Sequence, residues 1–148
     1  MVLGKGASSS LSMNKVDGAE EMVDNSNNFT VLVADDDPLI QKLHEMHLKK
    51  FGLKVQVVEN GKKAVDLCHF GATFNLILID KEMPVMDGAE ATKELQAMGV
   101  NSLIVGVTSR DSPYEKQAFM EAGLDYCFEK PLTADKINFL LQELNKNN

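Results

Sequence analysis

The fold is decided by residues 76–88, which read LILIDKEMPVMDG. The first four residues are all apolar, and the run is too short for a helix. Such a run is typical of a strand that is covered on both sides of a sheet. Asp80 ends the run, and Pro84 and Gly88 then predict a tight turn in which we expect Gly88 to supply a positive φ. The stretch therefore predicts one carboxylate at the carboxyl end of a central strand.

Similar short apolar runs recur on both sides of this stretch. Short apolar runs predict further strands at 31–34, 55–59, 103–107 and 126–129. Helical patterns are predicted at 38–50, 62–70, 89–98 and 113–122, and a final amphipathic helix carries Ile137, Leu140, Leu141 and Leu144. Five strands that alternate with five helices predict an α/β fold of the flavodoxin-like (βα)5 type, a doubly wound parallel sheet. In the strand order 2-1-3-4-5, ligands bind beside strands one and three.

Composition limits the classes of function. The 148 residues fit one domain, predicted at 29–148, preceded by a polar segment, 1–28, that we expect to be a disordered tail. The net charge of −7 argues against a basic nucleic-acid-binding surface. No apolar run approaches the length of a membrane span. We therefore expect a monomeric cytoplasmic protein that reaches the nucleus by diffusion, with Cys68 and Cys127 as small buried residues.

Polar side chains follow four of the predicted strands. Asp35 and Asp36 come after the first strand, Asp80 ends the third, Thr108 follows the fourth, and Lys130 follows the fifth. The carboxyl ends of parallel strands meet at one edge of the sheet, so these five residues are expected to form one small site.

Crowded carboxylates favour a hard cation, and Mg²⁺ is the natural choice for oxygen ligands beside a phosphate. We predict Asp36, Asp80 and the backbone carbonyl of Glu82 as direct ligands, with Asp35 acting through water. Lys130, together with Thr108, would hold a phosphoryl group, and Asp80 would be the nucleophile that forms an acyl phosphate.

Each residue also has a structural explanation when it is taken alone. Asp37 and Pro38 suit the start of a helix, a threonine at a strand end is usually structural, and Lys130-Pro131 suits a turn. His44 and His47, three residues apart, fit a packed helix flank better than a metal site. The ordered occurrence of the acid pair, Asp80, Thr108 and the lysine is what favours a site.

These motifs resemble the receiver domain of two-component response regulators. The resemblance spans about residues 29–145 and is carried by Asp35-Asp36, the stretch 80–88, Thr108-Ser109 and Lys130-Pro131. Within that family, the segments 43–46, 80–84, 105–109 and 118–124 are similar to plant type-C response regulators. Those are stand-alone receivers of the phosphorelay connected with cytokinin signalling.

The resemblance implies that Asp80 accepts a phosphoryl group from a histidine-containing phosphotransfer protein. It further implies that Asp35 and Asp36 organise Mg²⁺, for which Mn²⁺ can substitute, and that Thr108 and Lys130 contact the phosphoryl group. Contacts with the partner are expected at Leu39, Leu43, Met46 and Pro131.

One position departs from the family pattern. Receivers place a switching aromatic residue three positions before the lysine, where this chain has Cys127, and Tyr126 points to the other face of its strand. The chain also ends soon after the last helix, so we expect a phosphate sink or negative regulator with phosphohistidine phosphatase-like turnover, and not a metabolic enzyme. Two alternatives stay open, a pseudo-receiver that binds partners without phosphate and a haloacid-dehalogenase-like phosphohydrolase built on Asp35-x-Asp37.

Overall fold

The structure is a computed structural model that describes residues 28–109 and 112–146. The predicted tail, 1–28, lies outside the described residues except for Asn28. Five strands alternate with five helices: β1 (Thr30–Ala34), α1 (Pro38–Lys50), β2 (Lys54–Val58), α2 (Gly61–His69), β3 (Leu76–Asp80), α3 (Gly88–Ala97), β4 (Leu103–Thr108), α4 (Pro113–Glu121), β5 (Tyr126–Glu129) and α5 (Ala134–Lys146).

All five strands are parallel and lie in the order β2-β1-β3-β4-β5, as predicted. The central strand β3 is buried along its whole length, which accounts for its unbroken apolar run. The edge strand β2 instead alternates between more exposed and less exposed residues. Of the described helices, none combines the length and the apolar character that a membrane crossing requires.

Two apolar clusters cover the two faces of the sheet. One packs β1, β3 and β4 against α1 and α5, and the other packs the opposite face against α2, α3 and α4. Tyr126 belongs to the first face and Cys127 to the second, as the strand period of two predicts. Cys127 is buried, but the expectation for Cys68 is wrong because this residue is only partly buried at the margin of the second cluster.

Short polar side chains cap the helices that leave the site edge of the sheet. The Asp37 carboxylate accepts a hydrogen bond from the Leu39 N–H at 2.9 Å, and Pro38 occupies the first turn of α1. Asp87 caps α3 in the same way through the N–H of Glu90. These caps fix where each helix starts relative to the strand before it.

Candidate functional site

The strand register brings the predicted site residues together. Ala34 pairs with Ile79, so Asp35 and Asp80 follow at adjacent strand ends. Thr108 ends β4, beside β3, and Lys130 comes directly after the last residue of β5. All four lie at the carboxyl edge of the sheet.

Three carboxylates meet at this edge. Carboxylate oxygens of Asp35, Asp36 and Asp80 all lie within 4.8 Å of one another. Asp35 and Asp80 are buried, whereas Asp36 is exposed. The Lys130 ammonium contacts Asp80 Oδ1 at 3.0 Å and Asp35 Oδ2 at 3.2 Å. One ammonium thus bridges two buried carboxylates while a third lies beside them at the mouth of the site.

Asp35 is held by the start of the first helix. Its Oδ1 accepts a hydrogen bond from the Asp37 N–H at 2.9 Å, and its own N–H donates to the Val58 carbonyl at 3.1 Å. Asp37 is occupied as the helix cap, as its structural explanation predicts. The acid pair therefore sits on a turn whose conformation is fixed by backbone hydrogen bonds.

The loop after Asp80 is fastened at both ends. The Gly88 N–H donates to the Lys81 carbonyl at 2.9 Å, and the Gly61 N–H at the start of α2 donates to the Met86 carbonyl at 3.1 Å. The expectation that Gly88 takes a positive φ is wrong, because the residue with a positive φ in this loop is Val85, at 71°. Gly88 is required for space instead, since a Cβ there would collide with the backbone oxygen of Asp80.

The electrostatics of the site follow from burial. Burial raises the pKa of Asp80 to about 6, and the charges of Asp35 and Asp36 add to that rise while Lys130 opposes it. Burial also works against the Lys130 charge, but the hydrogen bond and charge of Asp80, helped by Asp35, outweigh it and raise the pKa of Lys130. At neutral pH the site therefore holds a desolvated carboxylate paired with an ammonium.

An open cleft of about 620 Å³ lies over these groups. It is lined by Asp36, Asp37, Asp80, Lys81, Glu82, Met83, Pro84, Thr108, Ser109 and Lys130. Thr108 is buried, and the Glu82 side chain is 86% exposed at the rim. The cleft places carboxylate oxygens, a hydroxyl and an ammonium around one space that is open to solvent.

The donor set fits Mg²⁺. Hard divalent cations prefer carboxylate oxygens, and three carboxylates converge here, two of them bridged by the Lys130 ammonium. The raised pKa of Asp80, caused first by burial, indicates a carboxylate that a cation would stabilise. The carbonyl of Glu82 as a further ligand stays a prediction.

The expected partner contacts lie outside the cleft. Leu39 is 73% exposed and Met46 is 50% exposed on α1, while Leu43 is half-buried. Pro131 is exposed next to Lys130. Val85, 78% exposed, adds an apolar side chain from the loop after Asp80, and sequence reasoning missed it because an apolar residue in a turn carries no signal of exposure.

Comparison with known proteins agrees with the site. Residues 31–142 match the family described as response regulator receiver domain. The two-component response regulator ARR22 of Arabidopsis thaliana is 54% identical over 116 residues, which cover 77% of this chain and 82% of that relative. The two-component response regulator 24 of the same plant is 48% identical over 116 residues, covering 78% of this chain and 84% of the relative.

Solved structures share the fold. The receiver domain of sensor histidine kinase PA1611 from Pseudomonas aeruginosa PAO1, with a magnesium ion coordinated in its active site cleft, has a TM-score of 0.72 and 26% identity over 79% of this chain and 97% of that one. The receiver domain of Ssk1 from Saccharomyces cerevisiae, crystallised with the histidine phosphotransfer protein Ypd1, has a TM-score of 0.67 and 22% identity over 80% of this chain and 87% of that one.

Proposed function

The chain belongs to the response regulator receiver domain family, and from this premise we propose that it is a stand-alone receiver that takes a phosphoryl group from a histidine phosphotransfer protein onto Asp80. It is related to plant type-C response regulators, as the two Arabidopsis relatives indicate. The observation that carries the proposal is the Asp80 carboxylate, buried and bridged to Asp35 by Lys130 under an open cleft.

The reaction is a displacement at phosphorus. An Asp80 oxygen attacks the phosphorus atom of the donor phosphohistidine while the phosphorus–nitrogen bond breaks and the leaving imidazole takes up a proton. The Lys130 ammonium lies 3.0 Å from Asp80 Oδ1. It would stabilise the negative charge of the carboxylate before transfer and that of the phosphoryl oxygens during transfer. Phosphoryl transfer depends mainly on such positioning and charge neutralisation.

The remaining groups prepare the same step. A bound Mg²⁺ would be held by Asp36 and Asp80, with Asp35 behind them, and would neutralise charge on the phosphoryl oxygens. Thr108, buried at the end of β4, offers a hydroxyl donor at the edge of the cleft. In a second, separate step, water attacks phosphorus, the bond to the Asp80 oxygen breaks, and the carboxylate and inorganic phosphate are released.

We further propose that the protein acts mainly as a phosphate sink or negative regulator in cytokinin-type signalling. The support is the face on which receivers carry a switching aromatic residue. Cys127 occupies that position and is buried among apolar side chains. Tyr126 lies on the opposite face, where its hydroxyl donates to Glu143 of α5 at 2.9 Å. A phosphoryl group on Asp80 would therefore lack the aromatic side chain that usually relays it.

The test is a label-transfer time course with a phosphorylated histidine phosphotransfer protein and Mg²⁺. We expect rapid loss of label from the donor, transient label on this protein and accumulation of free phosphate. Asp80→Asn removes the nucleophile and should abolish transfer. Full transfer by Asp80→Asn would contradict the assignment, and stable label on the wild-type protein would contradict the sink while leaving the receiver intact.

Docking is proposed on the partner surface, defined as Leu39, Leu43, Met46 and Pro131. Leu39 and Met46 are the side chains most open to a partner, so Leu39→Glu combined with Met46→Glu is the useful variant. Transfer from the phosphotransfer protein should slow while labelling by phosphoramidate, which needs no docking surface, stays unchanged. Equal losses with both donors would argue against a docking role.

The two alternatives account for less of the site. A haloacid-dehalogenase-like reaction would use Asp35 and Asp37, but the Asp37 carboxylate caps α1 and Asp80 would have no role. A pseudo-receiver would bind partners without phosphate, and it leaves the buried Asp80–Lys130–Asp35 arrangement without a purpose. Failure of the wild-type protein to accept label from either donor would favour the pseudo-receiver.

A further inference from the structure

A buried histidine links the two halves of the site. His44 lies in the second turn of α1 with only 2% of its surface exposed. Its Nε2 accepts a hydrogen bond from the backbone N–H of Leu132 at 3.3 Å, across 88 positions of sequence. A neutral imidazole has one nitrogen that can accept, and this bond uses it.

The N–H that His44 binds belongs to the segment that carries the lysine. Lys130 is two residues before Leu132, and its backbone N–H donates to the Thr108 carbonyl at 2.7 Å. The Leu132 side chain is fully buried in the core. Residues 130–132 are therefore fastened to β4 on one side and to α1, through His44, on the other.

Helix α1 also fixes the acid pair. It starts at Pro38, and the N–H of Asp37, the cap residue directly before it, donates to the Asp35 carboxylate and holds it in place. His44 is six residues further along the same rigid helix, about 9 Å along its axis. The hydrogen bond between His44 and the segment 130–132 thus sets the distance between the acid pair and the Lys130 backbone. That distance matters because the Lys130 ammonium must reach both Asp35 and Asp80.

We propose that His44 is a positioning residue for phosphoryl transfer, which holds the Lys130 segment against α1 so that the ammonium stays in register with Asp35 and Asp80. The inference rests on the proposed function of the site. An apolar side chain would fill the same space but would leave the buried Leu132 N–H without its acceptor. The local charges agree with this role: burial lowers the pKa of His44, while Asp35 opposes the shift and Lys130 adds to it, so the ring stays an acceptor at neutral pH.

The experiment compares two replacements of His44 with one control. His44→Gln keeps an acceptor near the position of Nε2, and His44→Leu removes it while keeping an apolar side chain of useful size. The rate of phosphorylation by phosphoramidate is measured at saturating Mg²⁺ and divided by the folded fraction from circular dichroism. We expect His44→Leu to lose about tenfold or more in maximal rate with unchanged Mg²⁺ affinity, and His44→Gln to stay within about threefold of wild type.

His47→Leu is the matched control. His47 lies one turn further along α1, and its Nδ1 has no hydrogen-bond partner among the described residues. Phosphoramidate should phosphorylate this variant at the wild-type rate. A wild-type rate for folded His44→Leu, or equal losses in His44→Leu and His44→Gln, would overturn the inference. If wild type itself accepts no phosphoryl group, the proposed function fails instead.

A measurement on the wild-type protein covers the case in which His44→Leu does not fold. A nitrogen–nitrogen coupling across the hydrogen bond between the Leu132 amide and His44 Nε2 is observable by NMR in labelled protein. We expect that coupling together with an unprotonated Nε2. A protonated Nε2 without coupling would overturn the inference, whatever the variants do.

Discussion

The two ends of the sheet use polar side chains in opposite ways. At the amino-terminal end, Asn75 accepts from the Thr30 N–H at 2.9 Å, and Asp125 accepts from the Ile104 N–H at 2.8 Å. Each of these side chains is matched to a backbone group. At the carboxyl-terminal end, Asp35, Asp36 and Asp80 crowd together around one bridging ammonium.

Cavity size does not distinguish the two ends. An open cleft of about 650 Å³ lies at the amino-terminal end, and one of about 620 Å³ lies over Asp80. The difference lies in the polar groups: in the first cleft Asn75 and Asp125 accept hydrogen bonds from backbone N–H groups, whereas the second cleft is lined by acidic side chains together with Lys81 and Lys130. Crowded ionisable groups in a rigid frame are typical of functional sites.

The largest expected effect comes from removing the lysine. Lys130→Met takes away the charge that would stabilise the transferred phosphoryl group, so the rate of labelling by phosphoramidate should fall about 10²–10³-fold. The matched variant at the other end is Asp125→Asn, which keeps an acceptor for the Ile104 N–H. Phosphoramidate should label Asp125→Asn at the wild-type rate. A similar loss of labelling rate in both variants would contradict the functional difference between the two ends of the sheet.

Mg²⁺ should stabilise the fold through the carboxyl-terminal end. At 100 times its dissociation constant, an ion that binds only the folded state adds about 2.7 kcal/mol to the free energy of unfolding. Asp36→Asn should remove most of that gain. Asp66→Asn, which changes an exposed carboxylate paired with Lys62 on α2, should keep it. An equal increase in the free energy of unfolding in both variants would mean that Mg²⁺ does not bind at Asp36.

The gain should also depend on pH. Burial raises the pKa of Asp80 to about 6 in the folded protein from 3.8, so the stability that this group contributes to the metal-free protein is lost as pH rises from about 3.8 to about 6. Below that pH the proton competes with Mg²⁺ for the same carboxylate. Thermal unfolding at pH 5 and pH 7.5 should therefore show a larger Mg²⁺ effect at pH 7.5, and an equal effect at both would contradict the burial of an acidic ligand.

Gly88 and Gly99 show that the two ends of the sheet differ in the space available for a side chain. A Cβ at Gly88 would collide with the Asp80 backbone oxygen and lie 2.9 Å from the Phe119 ring, whereas a Cβ at Gly99 meets nothing within 4 Å. Gly88→Ala should cost about 2–3 kcal/mol of stability and slow phosphorylation. Gly99→Ala, at φ +76°, should cost about 1 kcal/mol by its backbone alone and leave phosphorylation unchanged. Chemical denaturation measures both costs.

The smallest expected effect concerns backbone strain. Two non-glycine residues among the described ones have positive φ, Asn28 before β1 and Val85 in the loop after Asp80. Asparagine tolerates this conformation and a β-branched residue does not. Val85→Asn should therefore raise the free energy of unfolding by about 0.5–1 kcal/mol. Val85→Ile keeps the branch and should gain nothing; a gain in Val85→Ile would refute strain as the cause.

Much of this contrast could be predicted from the sequence. The apolar runs predict five strands, and the polar residues at the ends of four of these runs predict which side chains reach the site, because every parallel strand ends at the same edge. Asp35, Asp36, Asp80, Thr108 and Lys130 all lie where that reasoning puts them. Their roles in Mg²⁺ binding and phosphoryl transfer stay proposals.

The rest depends on contacts between distant segments. The positive φ falls on Val85 because the Met86 N–H donates to the Pro84 carbonyl at 2.7 Å, which closes a γ-turn centred on Val85. The Met86 carbonyl in turn accepts from the Gly61 N–H of α2, a distant contact that the sequence of the loop does not encode. From the sequence, His44 is only a histidine on an apolar face of a predicted helix. Its hydrogen bond with the Leu132 N–H depends on the packing of α1 against the loop between β5 and α5. The raised pKa of Asp80 likewise depends first on burial by the folded chain.

The most direct test of the function assigned to the carboxyl-terminal end is to locate the phosphoryl group. The wild-type protein is phosphorylated by a histidine phosphotransfer protein in the presence of Mg²⁺ and sequenced by mass spectrometry after the acyl phosphate is trapped by borohydride reduction. We predict one modified residue, Asp80, and no modification without Mg²⁺ or in Asp80→Asn. Modification at Asp36 or Asp35, or label that persists in Asp80→Asn, would contradict Asp80 as the phosphoacceptor.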